Sequence, residues 1–595
     1  MLQWQTQYLA NTREIIRLSG IPQADGPQAL RQAVEDRRGC TLELVAENNR
    51  LVREYLFPML ETVTRAPDDI FENLQAFAAA LTAEGRLDNC LALHIHEGLL
   101  TAARSRHDRC LLLRELYECG LGTFYALNST MTYRPTNDIL RRIRLYFREA
   151  ASYLRLYDQI PSTEARGYIH RSMGNIALSY GRNELMQKLK AINDSLRVLT
   201  DPYYREKTPD LPWDSFVYAT HQERTSLLYC LRSGDTTPEL VSQVMESAQY
   251  VYNIQLARSQ ALRRPVEPRW RIVYTGALFF SGINDVRTYL DEVVEIHYAA
   301  TPGDYSYGGI IGNADSVAYF LDALSNFGSS QQGECLGTAR ILLNRALRYI
   351  AAAPQNVDMS RAALRLMQAY SEFPGFPPFA ELFCRLAPFA ARDVYLHSAA
   401  CGEICRVLAQ LVLAQRPQLL DRNDLTAAAL PKLAQTAGLL HDLGIFFFPR
   451  SMMVPARAML DFEQELLSIH SQFGADQVAR HPSTQAVCKA VLGHHWPLAH
   501  PETYRRGQDA TPLLTDLLAV ADALCGCVMP NHPGIYAAST ADECFHRLDS
   551  NSNSQFHPAL VSLVRENRAN LEDAIEKTKH FIYDSLSKNI VYSDF

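Results

Sequence analysis

Apolar residues recur at i, i+3, i+4 and i+7 over long stretches, the spacing that gathers them on one face of an α-helix. Leu74–Leu81, Leu140–Leu156, Val241–Leu256 and Ala339–Ala352 show the pattern. Runs of period two are few, and glycine and proline fall mostly between the helical patterns, as turns. The chain therefore predicts as all-α. The sharpest interruption is Ser371–Phe379 (SEFPGFPPF), where three prolines and a glycine in nine residues cannot continue a helix. It divides the chain into a helical region, 1–370, a proline-rich linker, 371–379, and a compact helical bundle, 380–595. Within the first region Asp201–Asp214 and Thr301–Asp315 read as loops between helical blocks.

Composition narrows the class. At 595 residues the chain exceeds what one hydrophobic core serves, so two or more domains are expected. Hydrophobic content of 47% with 21% charge is ordinary for a soluble globular protein. A net charge of −7 gives no reason to expect a nucleic-acid polymer or a membrane surface as partner. Arg104–Arg109 and Arg141–Arg144 read as solvated helix faces. The N-terminus lacks the basic start and apolar core of a signal peptide. No stretch reaches the roughly 18–20 uninterrupted apolar residues of a membrane span. The 13 cysteines include no CxxC pair and read as reduced thiols of a cytoplasmic protein. In the first region, Ser172–Arg182 followed by Glu184–Leu199 resembles a tetratricopeptide-like helix pair, with small residues on the first helix, then a turn. Residues 70–355 keep no strict 34-residue period, so the region reads equally as helical-repeat-like or as an irregular helical bundle. Either form could bind a protein partner or a small ligand, and an oligomer is compatible with both.

Candidate chemistry is concentrated late in the chain. Eleven of the 17 histidines lie between His397 and His580. Five groups stand out there in order: His397; His441-Asp442; His470; His494-His495; Asp522. Singly each is weak, since a lone histidine in an apolar pattern is usually a satisfied core residue. Their contexts add weight. Leu439–Gly444 (LLHDLG) puts an imidazole and a carboxylate at the end of an apolar helix, where both need compensation if buried. Pro512–Val528 (PLLTDLLAVADALCGCV) is apolar nearly all round and should be buried, with Thr511 as cap, so Asp522 inside it would be costly unless paired or bound to metal. His470 lies on a helix opened by Asp461–Gln464. His494 and His495 end the helix Thr484–Gly493, and a step of about 100° per residue would turn them toward different neighbours.

The order H…HD…H…HH…D resembles the HD superfamily, and within it the HD-GYP branch of cyclic di-GMP phosphodiesterases, over roughly residues 390–565. Gly438–Pro449 (GLLHDLGIFFFP) is similar to that branch's HDIGK…IP segment. Leu460–Val478 (LDFEQELLSIHSQFGADQV) is similar to its next histidine segment, Leu518–Leu524 (LAVADAL) to its aspartate helix, and Phe556–Leu560 (FHPAL) to its closing FDPxL. The resemblance implies a metal set of Asp393, His397, His441, Asp442, His470, His494, His495 and Asp522, with Asp393 standing where the branch has a glutamate. It implies two or three divalent transition ions, iron or manganese ahead of zinc, with His441 and Asp442 at the catalytic centre. Several positions depart from the branch. Ile445 replaces a lysine and Trp496 a glutamate. Gly-Tyr-Pro is reduced to Thr503-Tyr504-Arg505 followed by Arg506. Asn531 and Gly534 stand where an arginine and a lysine would meet substrate phosphates. Tyr504, Arg505 and Arg506 are then the candidate substrate contacts.

Mixed imidazole and carboxylate ligands suit iron, manganese or zinc rather than a calcium-type oxygen cage. The expected function is a metal-dependent phosphohydrolase acting on a phosphodiester or nucleotide small molecule in signalling, governed by the helical N-terminal region. The rival expectation is a catalytically silent HD module that binds a nucleotide or a protein partner as sensor or scaffold.

Overall fold

The computed structural model describes the chain apart from residues 84–86, 128–136, 182–183, 234–236, 300–316, 318–319, 321–328, 353–365, 368–376, 391, 421–424, 449, 496–511, 529–540, 553 and 592–595. The described elements are helices, joined by turns, with one isolated β-bridge between Ser552 and Phe556. The all-α expectation holds. Thr301–Asp315 and most of the proline-rich linker lie outside the described residues.

The chain folds into two compact units. One comprises Met1–Leu9 with Arg50–Ala353, the other Ala10–Asn49 with Pro354–Phe595. In the first, successive helices pack on one another: Asp68–Thr82, Asn89–Arg106, Arg109–Leu127, Asn137–Ser152, Thr163–Asn175, Leu185–Leu199, Trp213–Thr225, Pro238–Leu262, Pro268–Phe280 and Val286–Ala299. Their sequences explain them. Asp68–Thr82 buries Phe71, Leu74, Gln75, Ala78 and Leu81, a single face at helical spacing. Ser162 caps Thr163–Asn175 by accepting from Ala165 N, and Thr237 caps Pro238–Leu262, which has proline at its first position. One expectation is corrected here. Asp201–Asp214 contains a short helix, Pro202–Lys207, because Asp201 accepts from Tyr203 N and Pro202 is preset for a first helical turn.

The second unit is built around the 24-residue helix Arg392–Gln415, which packs on Leu430–Leu440, Pro512–Val528 and Arg568–Val591. This is the one described helix long and apolar enough to cross a membrane by length and composition. Here it serves as a core helix, burying Leu396, Ile404, Leu408 and Val412 among others. Residues of the segment Ala10–Asn49 join the same unit. Ile15 and Val45 share a small core with Ala456, and Asn48 donates to the Ala456 carbonyl at 3.0 Å. Cys544 is disulfide-bonded, unlike the reduced state expected from composition, whereas the other cysteines described here, among them Cys401, Cys405 and Cys525, are free.

Candidate metal centre

Two close backbone approaches assemble the centre. Helices Arg392–Gln415 and Leu430–Leu440 touch at Gly402 and Gly438, where a Cβ on Gly438 would lie 2.7 Å from the Cys401 carbonyl carbon. Only glycine allows this approach, and it brings His397 beside His441. The second is Gly444, packed so tightly on helix His470–Val478 that a Cβ would collide with the His470 carbonyl oxygen. It sets His441 and Asp442 beside His470.

The histidines occupy helix ends. His441 follows the last turn of Leu430–Leu440, His470 opens His470–Val478, and His494 follows Cys488–Gly493. Asp461–Leu467 is a separate short helix, so His470 starts a new one rather than continuing it. Glu463 accepts from Leu460 N at 2.7 Å at the opening of that short helix. Helix ends leave carbonyls without intrahelical partners. Three imidazoles use them: His441 Nδ1 lies 2.7 Å from Gly438 O, His470 Nδ1 2.5 Å from Leu467 O, and His494 Nδ1 2.6 Å from Val491 O. A carbonyl oxygen only accepts, so each Nδ1 carries a proton and each Nε2 points into the centre.

Those Nε2 atoms converge. His470 Nε2 and His494 Nε2 are 3.3 Å apart, as are His397 Nε2 and His441 Nε2. Asp442, fully buried, lies between the two pairs, with Oδ1 3.3 Å from His470 Nε2 and Oδ2 3.4 Å from His441 Nε2 and 3.7 Å from His397 Nε2. Asp522 Oδ1 lies 3.0 Å from His397 Nε2 and 3.5 Å from His441 Nε2. Three groupings could hold an ion: His397, His441 and Asp522; His441, Asp442 and His494; His470, His494 and His495.

Donor chemistry fits a metal. His470 Nε2 and His494 Nε2 meet at 3.3 Å beside the Asp442 carboxylate, a mixed imidazole and carboxylate donor set of the kind a transition ion takes. The carbonyl partners of Nδ1 are the outer shell that orients imidazole ligands toward metals. Burial pushes His441 down, but Asp442 and Asp522 outweigh it and raise its pKa to about 10. Burial drives His494 well below the usual histidine range, reinforced by the neighbouring imidazoles. Burial alone would raise Asp522, yet hydrogen bonds from His397 and His441 hold it well below the usual carboxylate range.

Seven of the eight metal candidates come together. Asp393 does not join the groupings: it is exposed and accepts from Arg392 Nε at 2.7 Å. His494 and His495 share a grouping with His470, and His494 also joins His441 and Asp442. Tyr504, Arg505 and Arg506 lie outside the described residues, as do Thr511, Asn531 and Gly534. Sequence reasoning missed Gly402, Gly438 and the three carbonyls. The signal for the carbonyls was available, since each lies three residues before a histidine at a helix end.

No curated protein matches the chain. The stretch from the turn that carries His397 to just beyond Asp522, residues 394–526, matches the family model of the HD domain.

Proposed function

We propose that the C-terminal unit is a metal-dependent phosphohydrolase of the HD-GYP-like type, working in the cytoplasm on a phosphodiester or phosphomonoester signal. The observation that carries the proposal is the convergence of four imidazole Nε2 atoms, in two pairs 3.3 Å apart, around the buried Asp442 carboxylate. In this reading His397, His441 and Asp522 would hold one divalent ion, and His470, His494 and His495 a second, with Asp442 as a further carboxylate ligand between them. Iron or manganese would suit the set ahead of zinc, and a third ion is compatible with the ligand number. When bound, the ions would activate water as a nucleophile and offset charge developing on the phosphate oxygens. The protein's own contribution is positional. The carbonyls of Gly438, Leu467 and Val491 fix the ring orientations, and the apolar helix Pro512–Val528 excludes bulk water behind Asp522. Tyr504, Arg505 and Arg506 are proposed to meet the substrate. The helical N-terminal unit, tetratricopeptide-like in this reading, is proposed to receive the regulating partner.

Asn531 and Gly534 cannot give the charge-assisted bonds of an arginine and a lysine, each worth about 1.5–3 kcal/mol. Cyclic di-GMP should therefore turn over slowly or not at all. A second reading, a silent HD module, draws on Ile445, which is fully buried where the resemblance has a lysine, and on Asp393, which is paired with Arg392.

Elemental analysis of the purified chain, paired with assays on an aryl phosphodiester and a panel of cyclic dinucleotides, tests both. About two ions per chain, less than one in Asp442→Ala, and aryl phosphodiester cleavage are expected. A metal-free wild type would refute the proposal. Full metal content without hydrolysis of any phosphoester would leave the silent module. Cyclic di-GMP cleavage at about 1 per second or faster would overturn the substrate argument.

A further inference from the structure

One turn before His397 the helix Arg392–Gln415 borders a second, separate site. A cavity of about 40 Å3 lies between the start of this helix, the helix Pro27–Leu51 and the helix Arg568–Val591. A single water needs roughly 10–15 Å3 of such space, so the cavity accepts a compact head group of a few heavy atoms and not a dinucleotide.

Its floor consists of two hydrogen-bond donors. Tyr583 is only 3% exposed, and its hydroxyl makes no hydrogen bond among the described residues. Arg392 is 5% exposed. Its Nε donates to Asp393, and its Nη1 donates to the carbonyls of Leu18 and Gly20 at 3.2 and 2.8 Å, which leaves Nη2 without a hydrogen bond among the described residues. The walls are the buried side chains of Val34 and Leu396, with half-buried Arg38 and two exposed carboxylates, Glu35 and the Arg392-paired Asp393, also lining the cavity. Burial pushes the Tyr583 phenol up to about 12, and it remains a donor throughout the neutral range. The positive end of a 24-residue helix adds to the two side chains, since its first turn borders the cavity.

We propose that this cavity binds the oxyanion head of a small ligand, a carboxylate or a phosphate monoester, on the donors of Tyr583, Arg392 and Arg38. The apolar walls would take the carbon attached to that head. None of this depends on what the metal centre does, because the site shares no side chain with the His/Asp groupings. Occupancy would brace the turn that precedes His397, so the ligand would act as an effector of the unit and not as its substrate.

The test is calorimetric titration of the full-length chain, held in excess chelator, with inorganic phosphate and with acetate against chloride at matched ionic strength. Saturable binding of one anion beyond the chloride control is expected, and whichever binds identifies the source as phosphate or carboxylate. Tyr583→Phe removes only the hydroxyl and should weaken binding roughly five- to tenfold. Arg38→Gln, at the rim and outside the core, should weaken it as well. No saturable binding of either anion, or equal affinity in wild type and both variants, would overturn the site. Because chelator removes metal-bound anion from the measurement, that failure is separable from any failure of the metal proposal.

Discussion

Asp442 turns its two oxygens to different sides of the cluster: Oδ1 faces His470 and Oδ2 faces His397 and His441. Asn would keep the shape and lose the charge. Asp442→Asn should therefore fold and lose most bound metal, which separates ligation from packing in a way that alanine does not. The histidines and aspartates of this cluster were legible in the sequence because ligand order and buried cost are local properties. Asp393 was not, since its competitor is the adjacent Arg392, and whether a carboxylate turns to a guanidinium or to a metal depends on neighbours far away in the chain. A buried imidazole in the first unit makes a different prediction. His170 is fully buried among Tyr157, Tyr204 and Trp213, and burial lowers its pKa to about 4. Unfolded, it would titrate near 6.5, so the unfolded state binds the extra proton. Its contribution to stability is present above about pH 6.5 and is lost as the pH falls toward 4. Thermal melts of the wild type across that window should fall more steeply than those of His170→Phe, and parallel curves would refute the assignment.

Helix periodicity carried most of the element-level reading, and it failed where a helix stops inside an apolar run. Asp461–Val478 reads as one helix, yet the chain breaks after Leu467 and restarts at His470, which frees the Leu467 carbonyl for the imidazole. Amphipathic spacing reports which face is buried but not where the hydrogen-bond ladder is cut. The packing of Gly402 on Gly438 is likewise invisible to spacing, because a glycine in a helix reads only as a weak position. It nonetheless sets the distance between the helix carrying His397 and the one ending at His441. Gly438→Ala puts a methyl group 2.7 Å from the Cys401 backbone, so the helices must part. Overpacking of this kind costs about 1–3 kcal/mol. The variant should melt lower and bind metal more weakly, whereas Gly526→Ala, with open space around it, should change neither. Unchanged metal affinity in Gly438→Ala would show that the crossing does not set the ligand geometry.

At the scale of the whole chain the least legible feature is the return of residues 10–49 to the C-terminal unit. A buried face in the sequence does not name its partner, and these residues lie hundreds of positions from theirs. Arg392 bonds the Leu18 and Gly20 carbonyls, Asn48 reaches Ala456, and Arg31 pairs with Glu576. Removing residues 1–49 should therefore lower the thermal stability of the C-terminal unit and speed its proteolysis. An unchanged melting transition would contradict that dependence.

The same return has a consequence for biosynthesis. Residues 10–49 leave the ribosome well before the helix that begins at Arg392, which follows roughly 340 residues later, and at about 5–20 residues per second this means a wait of roughly 20–70 s. Through that interval Ile15 and Val45 have no Ala456 to pack against. The unit between them can finish folding while its neighbour still lacks its larger part. Until then the apolar face of residues 10–49 stays unburied by its partner, and the His/Asp cluster can close only once Asp522 has been made.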